Sequence, residues 1–180
     1  LLVQLGYMFR YNAGFQFIFD WVESGKLGDI FSVRARISSG PSDEAAWQRW
    51  DSRGEREGGI MFILACHVID AVVTLLGRPD RVTSFSHNEN DEFPWYRDNT
   101  TTLFEYGGAM ATVESASLEV SSGASRRLEV YGTRGSAILE PLEPPALNTG
   151  ILRPPEPQRE ATPPWIGPPT LTAPPIPTAP

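Results

Sequence analysis

Between Gly59 and Gly77 lie seventeen residues, Ile60 to Leu76, of which all but His67, Asp70 and Thr74 are apolar. The run is too long for an ordinary strand. As a helix it spans about 25 Å at about 1.5 Å per residue. Its ends carry helix punctuation: Gly58-Gly59 precede it, Gly77 stands at the C′ position, and Pro79 prevents continuation. A helix apolar on almost every side is expected to be buried on almost every side. His67, Asp70 and Thr74 follow i, i+3, i+7 spacing, which places them on one face together with Ile60 and Ile63. A polar stripe on such a helix is either satisfied by internal partners or lines a cleft. The pattern leaves two readings open. One is a hydrogen-bonded core histidine with no chemistry. The other is a proton donor or acceptor, since imidazole titrates near neutral pH.

The stretch Glu57-Gly-Gly-Ile-Met-Phe-Ile-Leu-Ala-Cys-His67-Val-Ile-Asp70, with Leu75-Leu-Gly-Arg-Pro79 after it, resembles the glycine-rich helix of the glucose-fructose oxidoreductase / inositol dehydrogenase / MocA family. Four other segments resemble the family in the same order. They are Gly6-Tyr-Met-Phe-Arg10-Tyr11-Asn12, Ser24-Gly-Lys-Leu-Gly28-Asp-Ile30, Asp98-Asn-Thr-Thr-Thr-Leu-Phe-Glu-Tyr106 and Tyr131-Gly-Thr-Arg-Gly-Ser-Ala-Ile-Leu-Glu-Pro141. The resemblance covers about residues 3 to 141. It implies hydride transfer between a nicotinamide and a carbinol carbon of a sugar or cyclitol, with His67 as the catalytic acid or base. By the same carry-over Arg10, Tyr11, Asp98 and Asn99 are candidate substrate-binding residues, each with a structural hydrogen-bonding role as the alternative; Asp70 joins them as a candidate from its place on the His67 face of the helix.

Two of the family's features are missing. A dinucleotide site needs G-x-G-x-x-G between a strand and a helix, and no such motif occurs. Gly132-Thr-Arg-Gly135 has a different spacing and reads as a hairpin turn. It also resembles the G-x-x-G loop of KH modules, but the surroundings are not basic and the net charge is −7. The family's Glu-Lys-Pro motif is absent too, and the only lysine, Lys26, lies in a Gly-Lys-Leu-Gly turn. These absences imply that the chain is the C-terminal part of a longer oxidoreductase, without its nucleotide-binding domain and inactive alone. NAD or NADP is then implied for the longer protein, with none bound by this chain alone. A start at Leu1 rather than Met fits that expectation. The family's aspartate one turn before the histidine is replaced here by Ile63, which can neither orient an imidazole nor charge it. Hence the rival reading: a non-catalytic carbohydrate-binding or scaffold protein that kept the fold.

The flanking sequence predicts the remaining elements. Leu2 to Met8 reads as a strand. Asn12 is a plausible N-cap for an apolar helix from Phe15 to Val22 that ends at Ser24-Gly25. From Gly28 a strand alternates, with Phe31, Val33, Ala35 and Ile37 on the dry side and Ser32, Arg34, Arg36 and Ser38 on the wet side. Residues 40 to 57 form a polar loop in which Trp47 and Trp50 either stack on a sugar ring or pin the loop to the core. After the central helix come a strand at Arg81–Ser86, a polar loop at 88–97, and a meander. In the meander Thr100–Tyr106 pairs with Met110–Leu118 across Gly107-Gly108, where glycine is expected to supply positive φ. Arg127–Tyr131 and Ala137–Leu139 follow. All but three of the seventeen prolines, Pro41, Pro79 and Pro94, lie from Pro141 onward. Residues 142 to 180 are therefore expected to form a disordered, partly polyproline II tail, with residues 1 to 141 as the domain.

The fold class expected is α+β: an open, mainly antiparallel sheet with helices on one face and no Rossmann domain. On the resemblance, the other face supports a homo-oligomer. The acidic charge argues against nucleic acid or an anionic membrane surface as partner. No eighteen-residue lipid span occurs, since His67 and Asp70 interrupt the longest apolar run. The single Cys66 cannot form an internal disulfide, which points to a reducing, cytoplasmic setting.

Overall fold

The computed structural model describes residues 1–40, 58–89 and 94–151. Trp47, Trp50 and the proline-rich segment from 152 onward lie outside the described residues. The elements run in the order α1 (Ala13–Glu23), β1 (Ile30–Arg36), α2 (Cys66–Leu76), β2 (Arg81–His87), β3 (Asn99–Glu105), β4 (Met110–Ala116), the single turn α3 (Ser122–Ser125), β5 (Arg127–Gly132), β6 (Gly135–Leu139) and β7 (Leu147–Ile151). The strands form one seven-stranded sheet in the order β2-β3-β4-β1-β5-β6-β7. Every pair is antiparallel except β1 with β4.

Strand alternation divides the sheet into two faces. Val33 and Ala35 of β1 are buried beside Ala111 and Val113 of β4, Leu128 and Val130 of β5, and Ala137 and Leu139 of β6. Both long helices pack on this side. Gly14 lets α1 approach the sheet so closely that a Cβ there would meet the Leu139 side chain at 2.6 Å. The helix begins where the sequence predicts: the Asn12 side-chain oxygen accepts the backbone N–H groups of Gly14 (2.9 Å) and Phe15 (3.4 Å). The other face of the sheet carries Arg34, Arg36, Thr112, Glu114, Arg127 and Glu129 around a shallow cavity of about 220 Å³. Glu129 is 2% exposed there, ion-paired to Arg127 and accepting a hydrogen bond from Tyr131 Oη (2.8 Å).

Five expectations need correction. Leu2 to Met8 forms no strand; the segment has no pairing partner, and Met8–Tyr11 is a 3₁₀ turn instead. β5 does not follow β4 in a meander, because β1 lies between them; the α3 turn carries the chain from β4 past that strand. Positive φ is found at Gly25, Gly28, Gly58, Gly59 and Gly77, and not at Gly107 or Gly108. The sheet continues beyond the boundary expected at Pro141: β7 pairs with β6, since Pro144 and Pro145 occupy the connection, where no ladder N–H is required.

The fifth concerns the central helix. It ends as predicted at Gly77 (φ 76°), but its first part, Met61–Ala65, is π-helical. It is also not buried all round. Ala65, Val68, Ala71 and Val72 face the core, whereas Phe62 is 70% exposed and Val73 41% exposed. Among the described residues, Tyr7 of the N-terminal segment lies beside that outer side, across a cleft of about 350 Å³ lined also by Met61, Phe62, Cys66, Ile69, Asp70 and Val73.

Candidate functional site

The polar stripe of the central helix meets the 3₁₀ turn that precedes α1. Arg10, from that turn, donates Nε to Asp70 Oδ2 (2.7 Å) and Nη2 to Asp70 Oδ1 (2.6 Å). This two-pronged geometry suits a guanidinium and a carboxylate. The hydrogen bond and charge of Asp70 push the Arg10 pKa above its ordinary value. One turn further on, Thr74 Oγ1 donates to the Asp70 backbone carbonyl (2.8 Å) and so turns back onto its own helix. Asp70 and Thr74 are thus satisfied internally.

His67 is not. Its Nδ1 is buried and has no hydrogen-bond partner among the described residues. Its ring neighbours are aromatic: Tyr7 with centroids 6.4 Å apart at 79°, and Phe9 at 5.9 Å and 69°. Phe9 is buried and stacks on Phe15 of α1 at 4.5 Å. Tyr7 has φ 35° and ψ 61°, a left-handed conformation that costs a side-chain-bearing residue on the order of 1–3 kcal/mol. Next to His67 on the cleft side, burial pushes the Cys66 thiol above its usual pKa, so it is not an activated nucleophile.

The other candidates lie elsewhere. Tyr11 is 67% exposed, and its Oη accepts a hydrogen bond from Gln4 Nε2 (3.2 Å). Asp98 is 1% exposed, and both carboxylate oxygens accept the Glu89 N–H (2.9 and 3.1 Å). Its backbone carbonyl accepts Ser117 N–H (2.8 Å). Asn99 opens β3, exposed, opposite His87 and Ala116. The structure therefore brings Arg10 and Asp70 together on the His67 helix, while Asp98 ties loop to strand. Tyr7 and Phe9 stand out only in the structure, because nothing in the sequence announces the turn that brings both rings to His67. Their signal was two aromatic residues at i and i+2 just before Arg10.

Gly58 and Gly59, the left-handed pair before the helix, serve packing. A Cβ on Gly58 would strike the Phe62 ring, and one on Gly59 would strike the Arg97 carbonyl, which accepts the Ile60 N–H (2.9 Å). Among the described residues no strand runs through a glycine-rich turn into a helix N-terminus. No group of three or more His, Cys, Asp or Glu among them is placed to hold a metal ion. No helix among them is long and apolar enough to cross a membrane.

A seven-stranded, mostly antiparallel open sheet with few helices matches the C-terminal domain of the Gfo/Idh/MocA dehydrogenases. Residues 15–138 match the GFO/IDH/MocA C-terminal domain, and the chain belongs to that oxidoreductase family. It is similar to the WlbA dehydrogenase from Bordetella pertussis, solved with NADH and UDP-GlcNAcA: TM-score 0.67, 18% identity, covering 81% of this chain and 46% of that one. It is similar also to an inositol dehydrogenase homologue from Azotobacter vinelandii, solved with NAD+: TM-score 0.66, 20% identity, 81% of this chain and 42% of that one. An oxidoreductase from Agrobacterium radiobacter, solved with NAD+, L-tartaric acid and magnesium, aligns with TM-score 0.60 at 21% identity, over 81% of this chain and 44% of that one. At these identities the likeness establishes the fold. The chain spans less than half the length of these structures. No curated protein matches the sequence.

Proposed function

We propose that this chain is the substrate-side and oligomerisation domain of an NAD(P)-dependent oxidoreductase acting on a sugar- or cyclitol-like alcohol. Residues 1–151 form that domain, and the nucleotide is held by another part of a longer protein. The observation that carries this reading is the unpartnered, buried Nδ1 of His67 beside the Arg10–Asp70 pair. A buried imidazole nitrogen left without a partner costs free energy and is retained more readily where a substrate or reaction uses the ring. The role of His67 is to take or return the hydroxyl proton as the carbinol carbon changes oxidation state; the nicotinamide, when bound, supplies the two-electron partner. Arg10 and Asp70 shape the adjacent wall. Tyr11 and Asn99, both exposed, are positioned to meet parts of the substrate that project from the site, and Asp98 supports the rim through its bond to Glu89. The open sheet face, with Arg34, Arg36 and Arg127 around Glu129, pairs with a second copy.

The test is nicotinamide reduction by the full reading frame that contains this chain, across cyclitols, aldoses and uronic acids. Turnover is expected, and His67→Ala is expected to lower it by about 10²- to 10⁴-fold. An active enzyme indifferent to His67→Ala overturns the assignment.

One observation favours a second reading. Ile63 occupies the position one turn before His67, so no carboxylate stands there. A non-catalytic carbohydrate-binding protein needs none. Saturable sugar binding without nicotinamide turnover by the full product would favour it.

A further inference from the structure

Among the described residues, Tyr7 is the only one other than glycine with a positive φ. Such a backbone persists where the surroundings over-determine it, and it concentrates at working sites. Several contacts determine it here. The Tyr7 carbonyl accepts the Arg10 N–H (3.0 Å). Arg10 is itself fixed by both oxygens of Asp70, and its guanidinium carbon lies 5.8 Å from the centre of the Tyr7 ring. The outcome is a phenol ring set nearly perpendicular to the imidazole of His67.

The imidazole needs such a neighbour. A ring hydrogen-bonded through one nitrogen has its tautomer and orientation chosen by that bond. His67 Nδ1 has no such bond among the described residues, and the residue one turn earlier is Ile63. About χ2, an unrestrained imidazole has a broad, roughly two-fold well. Two rings at steep angles, Tyr7 at 79° and Phe9 at 69°, narrow that well by contact. Phe9 is anchored from behind by its stack on Phe15. Tyr7 is anchored by the turn and by the Arg10–Asp70 pair.

We propose that Tyr7 is a positioning residue for His67. The left-handed turn and the Arg10–Asp70 pair aim its ring at the imidazole, and with Phe9 it forms an aromatic clamp that fixes the imidazole plane in place of a hydrogen-bonded carboxylate. This deepens the reading of His67 as the proton-handling group and rests on it for its catalytic consequence. The clamp itself is a property of this chain. It also assigns a task to Asp70: the carboxylate acts on the turn and, through Arg10 and Tyr7, on the histidine one turn before it.

The chain has two histidines, so His87→Gln leaves His67 as the only imidazole, and its ring signals can be followed by NMR in the 180-residue chain. With Tyr7→Phe the His67 ring signals are expected to stay where they are, because the ring remains. With Tyr7→Ala they are expected to move toward free imidazole and broaden, and Tyr7→Leu, which keeps bulk without an aromatic edge, should resemble Tyr7→Ala. In the full-length enzyme Tyr7→Ala should lower kcat by about 10- to 100-fold, the scale of a misaligned catalytic group, with KM within about twofold and with rescue by Tyr7→Phe. Ring signals indifferent to Tyr7→Ala and Tyr7→Leu overturn the clamp. So does a Tyr7→Phe variant as disturbed as Tyr7→Ala, since the hydroxyl would then matter and not the ring. Ring signals that respond as stated in a full-length protein without turnover support the clamp and count against the oxidoreductase reading instead.

Discussion

The two sides of the central helix are built from similar residues and meet different surroundings. Ala65, Val68, Ala71 and Val72 lie against the sheet, all but fully buried. Phe62, Cys66, Ile69 and Val73 are just as apolar, yet they line an open cleft. The inner side is paid for by close packing. The outer side is only partly covered among the described residues: Ile69 still packs against the core, while Phe62 and Val73 are exposed. Between the two runs the polar stripe, His67, Asp70 and Thr74, where the site is proposed. Hydrophobicity along a sequence therefore reports which residues avoid water, and geometry decides which of them are covered.

The sharpest way to break this contrast is to put a charge on each side. Val68→Asp places a carboxylate with no partner against β1 and β4 and is expected to cost roughly 3–5 kcal/mol, enough to unfold a marginal domain, as read by urea denaturation. A cost under about 1 kcal/mol would mean the inner side is not packed as described. Asp70→Ala should fall in between. It frees Arg10 and with it the 3₁₀ turn, so the midpoint should drop by less than in Val68→Asp, and protease cleavage near residues 7–11 should rise. Cys66 gives a chemical reading of the same contrast. The thiol opens on the cleft, but burial raises its pKa, so maleimide labelling should be slow at neutral pH and speed up as pH rises, roughly tenfold per unit below that pKa. A Val68→Cys thiol in a Cys66→Ser background should stay unlabelled until the chain unfolds. Phe62→Ser should do least, shifting stability by no more than about 0.5 kcal/mol.

Much of the fold was legible because its signals are local. The alternation in β1 from Val33 onward, the Asn12 cap and the Gly77 stop each act within a few residues, whereas Phe31, expected on the dry side, is 51% exposed beside the register shift between Ile30 and Ser32. What was not legible depends on pairing across the chain. Nothing near Ile30–Arg36 says that it will lie between β4 and β5, or that its pairing with β4 will be parallel. The strand β7 was hidden by the prolines beside it. At the site, Arg10 and Asp70 were each named as candidates, but their pairing spans the interval between two separate elements and could not be read from spacing. Tyr7 was missed for a related reason. Its role comes from a backbone conformation that no residue type at that position announces, since left-handed φ is usually the signature of glycine.

The central place of β1 has a consequence for how the molecule is made. Its two neighbours in the sheet, β4 and β5, come about 80 and 100 residues later, so its native pairing has high contact order. While the chain emerges from a ribosome, Ile30–Arg36 is exposed long before either partner exists. The hairpin of β3 and β4 can form by itself, but β1 gains its second neighbour only once β5 has been synthesised. Over that interval a strand with a fully apolar side waits unpaired, and that is when the nascent chain is most open to aggregation or to a chaperone.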